Sequence, residues 1–122
     1  MKAVALVGAT VKNPELLPLW SSIRALLVGY EAEMLVVRDE PGYFSLKTET
    51  GRPFVSLVIQ KKHVGLYSMP LYENGSLAEE LESARIGKSC LGFVEEDDVM
   101  LDLIESFLQR SFMHYVYNGL IR

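Results

Sequence analysis

Two stretches of the sequence carry side chains from which an anion-binding site could be built. The candidate ligand-binding residues are Lys62, His63, Tyr67, Met69, Lys88, Ser89 and Cys90. Ammonium and imidazolium groups attract carboxylates and phosphates, and backbone amides near Ser89 could bind the same oxygens. Lys61 adds to this basic cluster. The alternative interpretation is a solvated hairpin tip at Lys61 and Lys62, with Lys88 in a surface turn.

Cys90 is a candidate nucleophile. It is the single cysteine of the chain, which excludes an intrachain disulfide and fits a reducing compartment. A thiol reacts as its thiolate, which needs a base or a positive neighbour, and His63 and Lys88 are the candidates. A cysteine-dependent enzyme is therefore one hypothesis. The alternative is that Cys90 is a small apolar residue buried in a strand.

A ridge of acidic residues is the candidate metal site. Asp98, Asp102 and Glu105 fall near one face of a predicted helix, and hard cations prefer carboxylate oxygens. Iron is the one cofactor that this ridge suggests. The alternative is that these acids stabilise the helix N-terminus and keep the surface solvated. No clustered His and Cys ligands accompany them, which argues against a structural zinc site.

The aromatic end of the chain is a further candidate. His114, Tyr115 and Tyr117 could line the rim of a pocket. The alternative, and the interpretation we favour, is that they pack a helix end against the sheet.

The elements that must position these residues follow from the period of the apolar side chains. Asn13, Pro14 and Glu15 are typical of a helix start, and helical spacing continues to Leu27 before Gly29. A second helix is predicted over 96–113 by its apolar stripe. A short helix is predicted over 76–83, capped by Ser76. Apolar runs bounded by turn signals predict strands over 2–11, 34–38, 43–48, 54–60, 64–69 and 89–94.

This order of elements predicts the fold class. Consecutive strands joined by short turns pair antiparallel. We therefore expect a single α+β domain over residues 1–122, a two-layer sandwich whose mainly antiparallel sheet has about five to six strands. The N-terminal and C-terminal helices should cover one face of that sheet.

The second face of the predicted sheet is where a site could lie. Alternation of side chains places His63, Gly65 and Tyr67 on one face, with Cys90 and Gly92 on the same side of the last strand. Alternation on the first strand of the pair places Phe54, Ser56, Val58 and Gln60 on one face. Two helices do not cover both faces, so this face forms a groove, a homodimer contact or a covered pocket. The alternative is that the N-terminal segment or the C-terminal tail covers it.

Two motif blocks give the sequence a family resemblance. They read RPFVSLVIQKKHVGLYSMPLYENG at 52–75 and IGKSCLGF at 86–93. Both resemble the YdhG-like domain family, a group of unknown function with a frataxin-like fold. The resemblance extends to LVVRDEPGYFSLKT at 35–48 and to FMHYVYNG at 112–119. It implies a frataxin-like α+β fold and permits an iron-handling function, because one family member is described as an iron chaperone.

Composition narrows the function classes. The chain has 122 residues, of which 49% are apolar and 23% charged, as in globular proteins. Its net charge of −4 argues against nucleic acid as a partner. The apolar run at 3–7 is too short for a signal peptide, and none is long enough for a membrane span, so we expect a cytoplasmic protein with no membrane partner.

The leading hypothesis is a non-enzymatic module that binds a small anion or a partner protein on the face bearing His63, Tyr67, Lys88 and Cys90. Iron binding on the acidic ridge is the alternative, and a cysteine-dependent enzyme is the second alternative.

Overall fold

The computed structural model describes residues 11–121. Five strands run through it, namely β1 Leu35–Glu40, β2 Tyr43–Lys47, β3 Pro53–Ile59, β4 Val64–Ser68 and β5 Cys90–Phe93. The α-helices of this part of the chain are α1 Leu17–Val28, α2 Met69–Glu73 and α3 Asp98–Tyr117. Short 3-10 segments occupy Pro14–Leu16, Glu31–Glu33 and Gly75–Ala84.

The five strands form one open sheet in the order β1-β2-β3-β4-β5, and every neighbouring pair is antiparallel. The predicted α+β class and antiparallel sheet are confirmed. The strand predicted over 2–11 lies outside the described residues apart from Val11, which belongs to no strand. Among the helices of residues 11–121, none combines the length and the apolarity needed to cross a bilayer.

Capping side chains set where the helices begin. Asn13 accepts a hydrogen bond from the backbone of Glu15 at 3.2 Å, as predicted, but this caps a 3-10 turn that leads into α1. Asp97 caps α3 by accepting from the backbone N–H groups of two residues of its first turn. The predicted cap at Ser76 is wrong, because Asn74 accepts from the Ser76 backbone instead, and the segment is a 3-10 helix.

One face of the sheet forms the core. Its buried side chains are Phe44, Leu46, Val55, Leu57, Ile59, Val64, Leu66, Leu91 and Phe93. Helix α1 lies against this face, where Trp20 Nε1 donates to the Leu57 carbonyl at 3.0 Å. The hydroxyl of Tyr115 in α3 donates to the Pro53 carbonyl at the start of β3. These two bonds satisfy polar groups that burial would otherwise leave unpaired.

A shift of strand register moves Phe54 to the core. The shift lies where Leu46 pairs with Val55 and Lys47 pairs with Pro53, so β3 has one residue more than β2 at this point. Phe54 is consequently fully buried, and its ring centre lies 5.6 Å from that of Tyr115. The prediction that Phe54 shares a face with Ser56 and Val58 is wrong, because simple alternation does not allow for the irregularity.

The opposite face of the sheet, which we call the open face, carries two cross-strand rows. The first row joins Tyr43, Val58, Gly65 and Gly92. The second row joins Arg38, Ser45, Ser56, Tyr67 and Cys90. Paired residues of an antiparallel sheet share a face. The predicted placement of Gly65 and Tyr67 beside Gly92 and Cys90 is therefore confirmed.

Candidate functional site

Tyr67 lines two cavities of the open face. The basic cavity, of about 480 Å³, is lined by Lys12, Gln60, Lys61, Lys62, His63 and Tyr67. The apolar cavity, of about 350 Å³, has Ser56, Tyr67, Met69, Tyr72 and Ser89 among its lining residues. The predicted site residues are thus divided between two neighbouring cavities.

The turn between β3 and β4 builds the basic cavity. A backbone hydrogen bond of 2.8 Å from Gln60 N to His63 O closes the turn. The side chain of Asn13 donates to the Lys61 carbonyl at 3.1 Å, and Lys12 Nζ donates to Gln60 Oε1 at 3.0 Å. The segment before α1 is therefore fixed to the hairpin tip, and it adds a third lysine to the wall.

Gln60 and Gly65 determine the position of the Tyr67 ring. Gln60 Nε2 donates to the Tyr67 hydroxyl at 3.2 Å. The ring lies over Gly65, where an added Cβ would stand only 2.9 Å from Tyr67 Cε2. A side chain at position 65 would therefore displace the aromatic ring that the two cavities share.

The basic cavity concentrates positive charge in a chain of negative net charge. Three lysines line it and no carboxylate does so among the described residues. Within residues 11–121, neither Lys61 nor Lys62 takes part in a salt bridge. Both side chains are exposed and free to approach a ligand. An anion that entered this cavity would meet attraction from several sides without competition from a neighbouring acid.

His63 adds an unsatisfied polar atom beside the basic cavity. Its Nε2 atom is buried and has no hydrogen-bond partner within the described part of the chain. The adjacent Cδ2 lies 3.3 Å from the position that a Cβ on Gly92 would take. Leaving such a group unpaired costs about 1–3 kcal/mol. A ligand oxygen or a water that reached this nitrogen would recover part of that energy.

The apolar cavity lies where β4 passes into α2. Ser68 caps α2 by accepting from the Leu71 backbone at 3.1 Å, and this turn presents Met69 and Tyr72 on the open face. Tyr72 is 51% exposed. Lys88 Nζ lies 4.6 Å from the centre of the Tyr72 ring, a cation–π contact outside the cavity lining.

The structure does not bring Lys88 to the lysines of the hairpin tip. Strand β5 runs antiparallel to β4, so the residues before β5 lie beside the end of β4, where Ser68 N donates to Ser89 O at 2.7 Å. The predicted single basic cluster is corrected accordingly. The carbonyls of Gly87 and Lys88 accept from Arg85 at 2.7 and 2.9 Å, which holds this turn in place.

Cys90 lies on the open face but is only 6% exposed. Burial raises the pKa of its thiol, and hydrogen bonds with Tyr67 and with the Leu66 backbone oppose this effect without cancelling it. Its neighbour in the row is Tyr67 rather than His63. A thiol kept protonated and paired with a tyrosine lacks the activation that a nucleophile needs.

The acidic ridge does not form a metal site in the described residues. Asp98, Asp102 and Glu105 are exposed along α3. No group of three His, Cys, Asp or Glu side chains in residues 11–121 is placed to hold one ion. The helix start is where the acids act, since Asp97 Oδ1 accepts from Val99 N at 2.8 Å.

The aromatic end of α3 serves packing and polar links. Tyr115 is fully buried against Phe54, whereas Tyr117 is 81% exposed. His114 Nε2 lies 3.1 Å from Glu73 Oε1, and this contact links α3 to α2. None of the three residues lines either cavity of the open face.

Lys12, Gln60 and Tyr72 line the cavities but were not among the predicted site residues. Alternation from Ser56 through Val58 does place Gln60 on the open face. Lys12 has no such signal, since it reaches the hairpin from a distant part of the chain. Tyr72 belongs to a helical turn whose direction depends on the cap at Ser68.

Comparison with known proteins adds no relative. The chain matches none of the protein-family models, curated proteins or solved structures with which it was compared.

Proposed function

We propose that this chain is a non-enzymatic binding module that holds a small anionic ligand in the basic cavity. The observation that carries the proposal is the charge of that cavity, which Lys12, Lys61 and Lys62 line with no acidic side chain beside them among the described residues. Carboxylate and phosphate oxygens are the groups that such an arrangement recognises. His63 and Tyr67 supply further polar atoms at the same place.

We further infer that the sheet and its helices form a two-layer sandwich of the YdhG-like, frataxin-like type. Support comes from the contacts of Trp20 and Tyr115 with β3, which place α1 and α3 against the buried face. The adjacency of β4 and β5 agrees with the two motif blocks of that family. A cytoplasmic setting fits a protein whose single thiol is buried and unpaired.

The two other hypotheses have no comparable support. Iron binding would need several acids around one point, and Asp98, Asp102 and Glu105 are spread along exposed turns of α3. Cysteine chemistry would need a thiolate, and the raised pKa of Cys90 favours the thiol. Anion binding in the basic cavity is therefore the function that the geometry supports best.

The proposal is tested by reversing the charge of the hairpin tip. Calorimetry would measure binding of pyrophosphate and citrate to the wild type and to the Lys61→Glu/Lys62→Glu variant. Each charge-assisted hydrogen bond contributes about 1.5–3 kcal/mol, so the variant should bind at least about tenfold more weakly. Because the contact is electrostatic, affinity should also fall as salt is added.

Lys47→Glu is the matched control. It changes the net charge by −2, as Lys61→Glu alone does, at a residue of β2 that lines neither cavity, so it is compared with that single variant. Equal weakening in the control would assign the effect to net charge and not to the cavity. Binding in the double variant as tight as in the wild type, or no binding of any anion to the wild type, would reject the function.

A further inference from the structure

The two cavities of the open face share one aromatic ring. Tyr67 lines both of them, and its hydroxyl is held at the basic end by Gln60. Ser56 lines the apolar cavity and Gln60 the basic one, and the backbone between them spans roughly 13 Å at roughly 3.3 Å per residue. A single extended molecule of that length could therefore occupy both.

The two ends of this span differ in chemistry. The basic end presents lysine ammonium groups around open space. Among the described residues, no charged side chain lines the apolar cavity, whose lining includes Tyr67, Met69 and Tyr72. A ligand with an acidic head and an apolar tail is complementary to these two cavities. Burial of the tail away from water is favourable, while the head forms ion pairs with the lysines.

We propose that the ligand is an amphipathic carboxylate with a medium-length alkyl chain, bound with its head in the basic cavity and its chain across Tyr67 into the apolar cavity. This rests on the proposed function, because the basic cavity supplies the head-group site. The side-chain-free floor at Gly65 lets the Tyr67 ring lie flat between the two ends. The chain of decanoate matches the span, whereas acetate and butyrate reach only the basic end.

A chain-length series tests the proposal on the full chain. Acetate, butyrate, hexanoate, octanoate and decanoate would be titrated below their micelle concentrations, with decanol as the uncharged probe. A fully buried methylene contributes roughly threefold to fourfold in affinity, so an open cavity should give about twofold per methylene. Decanol should bind at least about tenfold more weakly than decanoate, since it lacks the charge.

Two variants separate the tail from the head, and a third serves as a control. Tyr72→Ser removes an exposed wall of the apolar cavity and should weaken decanoate by about three- to tenfold while leaving pyrophosphate binding unchanged. Lys61→Glu/Lys62→Glu should weaken every carboxylate of the series by a similar factor. Lys88→Glu changes charge near the tail end only, so decanoate affinity should stay within about twofold.

Each other outcome has a defined meaning. Pyrophosphate binding with a flat chain-length series would overturn the amphipathic ligand and keep the anion site. Loss of all anion binding would overturn both proposals. The assigned orientation would be overturned if Lys61→Glu/Lys62→Glu left decanoate affinity unchanged. It would also be overturned if Lys88→Glu abolished decanoate binding. If light scattering shows a dimer that Tyr72→Ser dissociates, a second copy fills the apolar cavity, and the ligand proposal fails.

Discussion

At the scale of single residues, the open face depends on two positions that lack a side chain. Gly65 and Gly92 are paired across β4 and β5, and neighbouring side chains lie over each of them. Tyr67 covers Gly65, while His63 and Ile86 cover Gly92. The absence of Cβ atoms is what allows an aromatic ring and an imidazole to lie close to the strands.

Gly65→Ala should therefore disturb Tyr67 rather than the backbone. The new methyl group would meet the ring at 2.9 Å, so the ring must turn away and release Gln60. We expect a loss of about 1–2 kcal/mol in the free energy of unfolding, from one hydrogen bond and lost ring packing. Chemical denaturation measures it. In a Tyr67→Ala background, Gly65→Ala should change the free energy of unfolding little. An equal loss in that background would show that the Tyr67 ring is not the cause.

Cys90 should react slowly and should weaken the fold at alkaline pH. Burial raises the pKa of the folded thiol above its ordinary value of 9.0. As the pH rises past 9.0, the unfolded chain loses the thiol proton before the folded protein does. The contribution of Cys90 to the free energy of unfolding is therefore complete below the unfolded pKa. It is lost as the pH rises through the folded pKa.

Two measurements check this behaviour of Cys90. Iodoacetamide should modify the native protein much more slowly than the denatured chain between about pH 7 and 8, because the thiolate is both scarce and covered. The Cys90→Ala variant should lose less stability than the wild type between about pH 8 and 10. Rapid modification of native protein at neutral pH would restore the nucleophile hypothesis.

Alternation along the strands was sufficient to predict which residues share the open face, but not which of them share a cavity. Period-two spacing correctly placed Tyr67 and Cys90 on the same side. The separation of Lys88 from Lys62 follows from antiparallel pairing, which places the start of β5 at the end of β4. Lys12 could not be predicted, because its bond to Gln60 joins segments with no local sequence signal.

At the scale of elements, capping residues account for boundaries that periodicity predicts only approximately. The last helix was predicted over 96–113 and runs over Asp98–Tyr117. Its start is fixed by Asp97, and the acids beside it contribute through the helix dipole. The register shift at Phe54 has no such local signal, since it arises from how β2 and β3 align.

Asp97→Ala should destabilise α3. Its carboxylate satisfies two backbone N–H groups of the first turn, and removal of such a cap costs about 1 kcal/mol. Urea unfolding measures the change. Glu95→Ala is the matched control, because it removes the same charge from an exposed residue outside the helix. Asp97→Asn should keep most of the stability, and equal losses in all three variants would indicate a charge effect instead.

At the scale of the whole molecule, the first strand is an edge of the sheet that residues 11–121 form. All residues of β1 are exposed, and within this part of the chain β1 pairs only with β2. Ion pairs occupy its second half, where Arg38 bonds Glu40 at 2.7 Å and Arg24 bonds Asp39. Its first half is apolar and includes Val37, which is 54% exposed at the register shift. Such an edge can pair with another chain.

Val37→Lys should reduce self-association at high protein concentration without changing stability by more than about 0.5 kcal/mol. Light scattering and thermal unfolding measure the two quantities. Ala25→Lys is the control, because it adds the same charge on an exposed helix position. Both variants move the net charge of −4 toward zero, and a smaller net charge by itself promotes association. If self-association decreases in Val37→Lys and not in Ala25→Lys, the edge strand is its cause.

The position of the single tryptophan has an optical consequence. Trp20 is buried on the helix side of the sheet and bonded to Leu57, whose neighbours Ser56 and Val58 point to the other side. Its fluorescence thus reports the contact between helix and sheet, shielded from anything bound over Tyr67 by the thickness of one strand layer. Tryptophan emission should stay constant as ligand is titrated and should shift to the red only in denaturant. One sample would therefore distinguish ligand binding on the open face from unfolding.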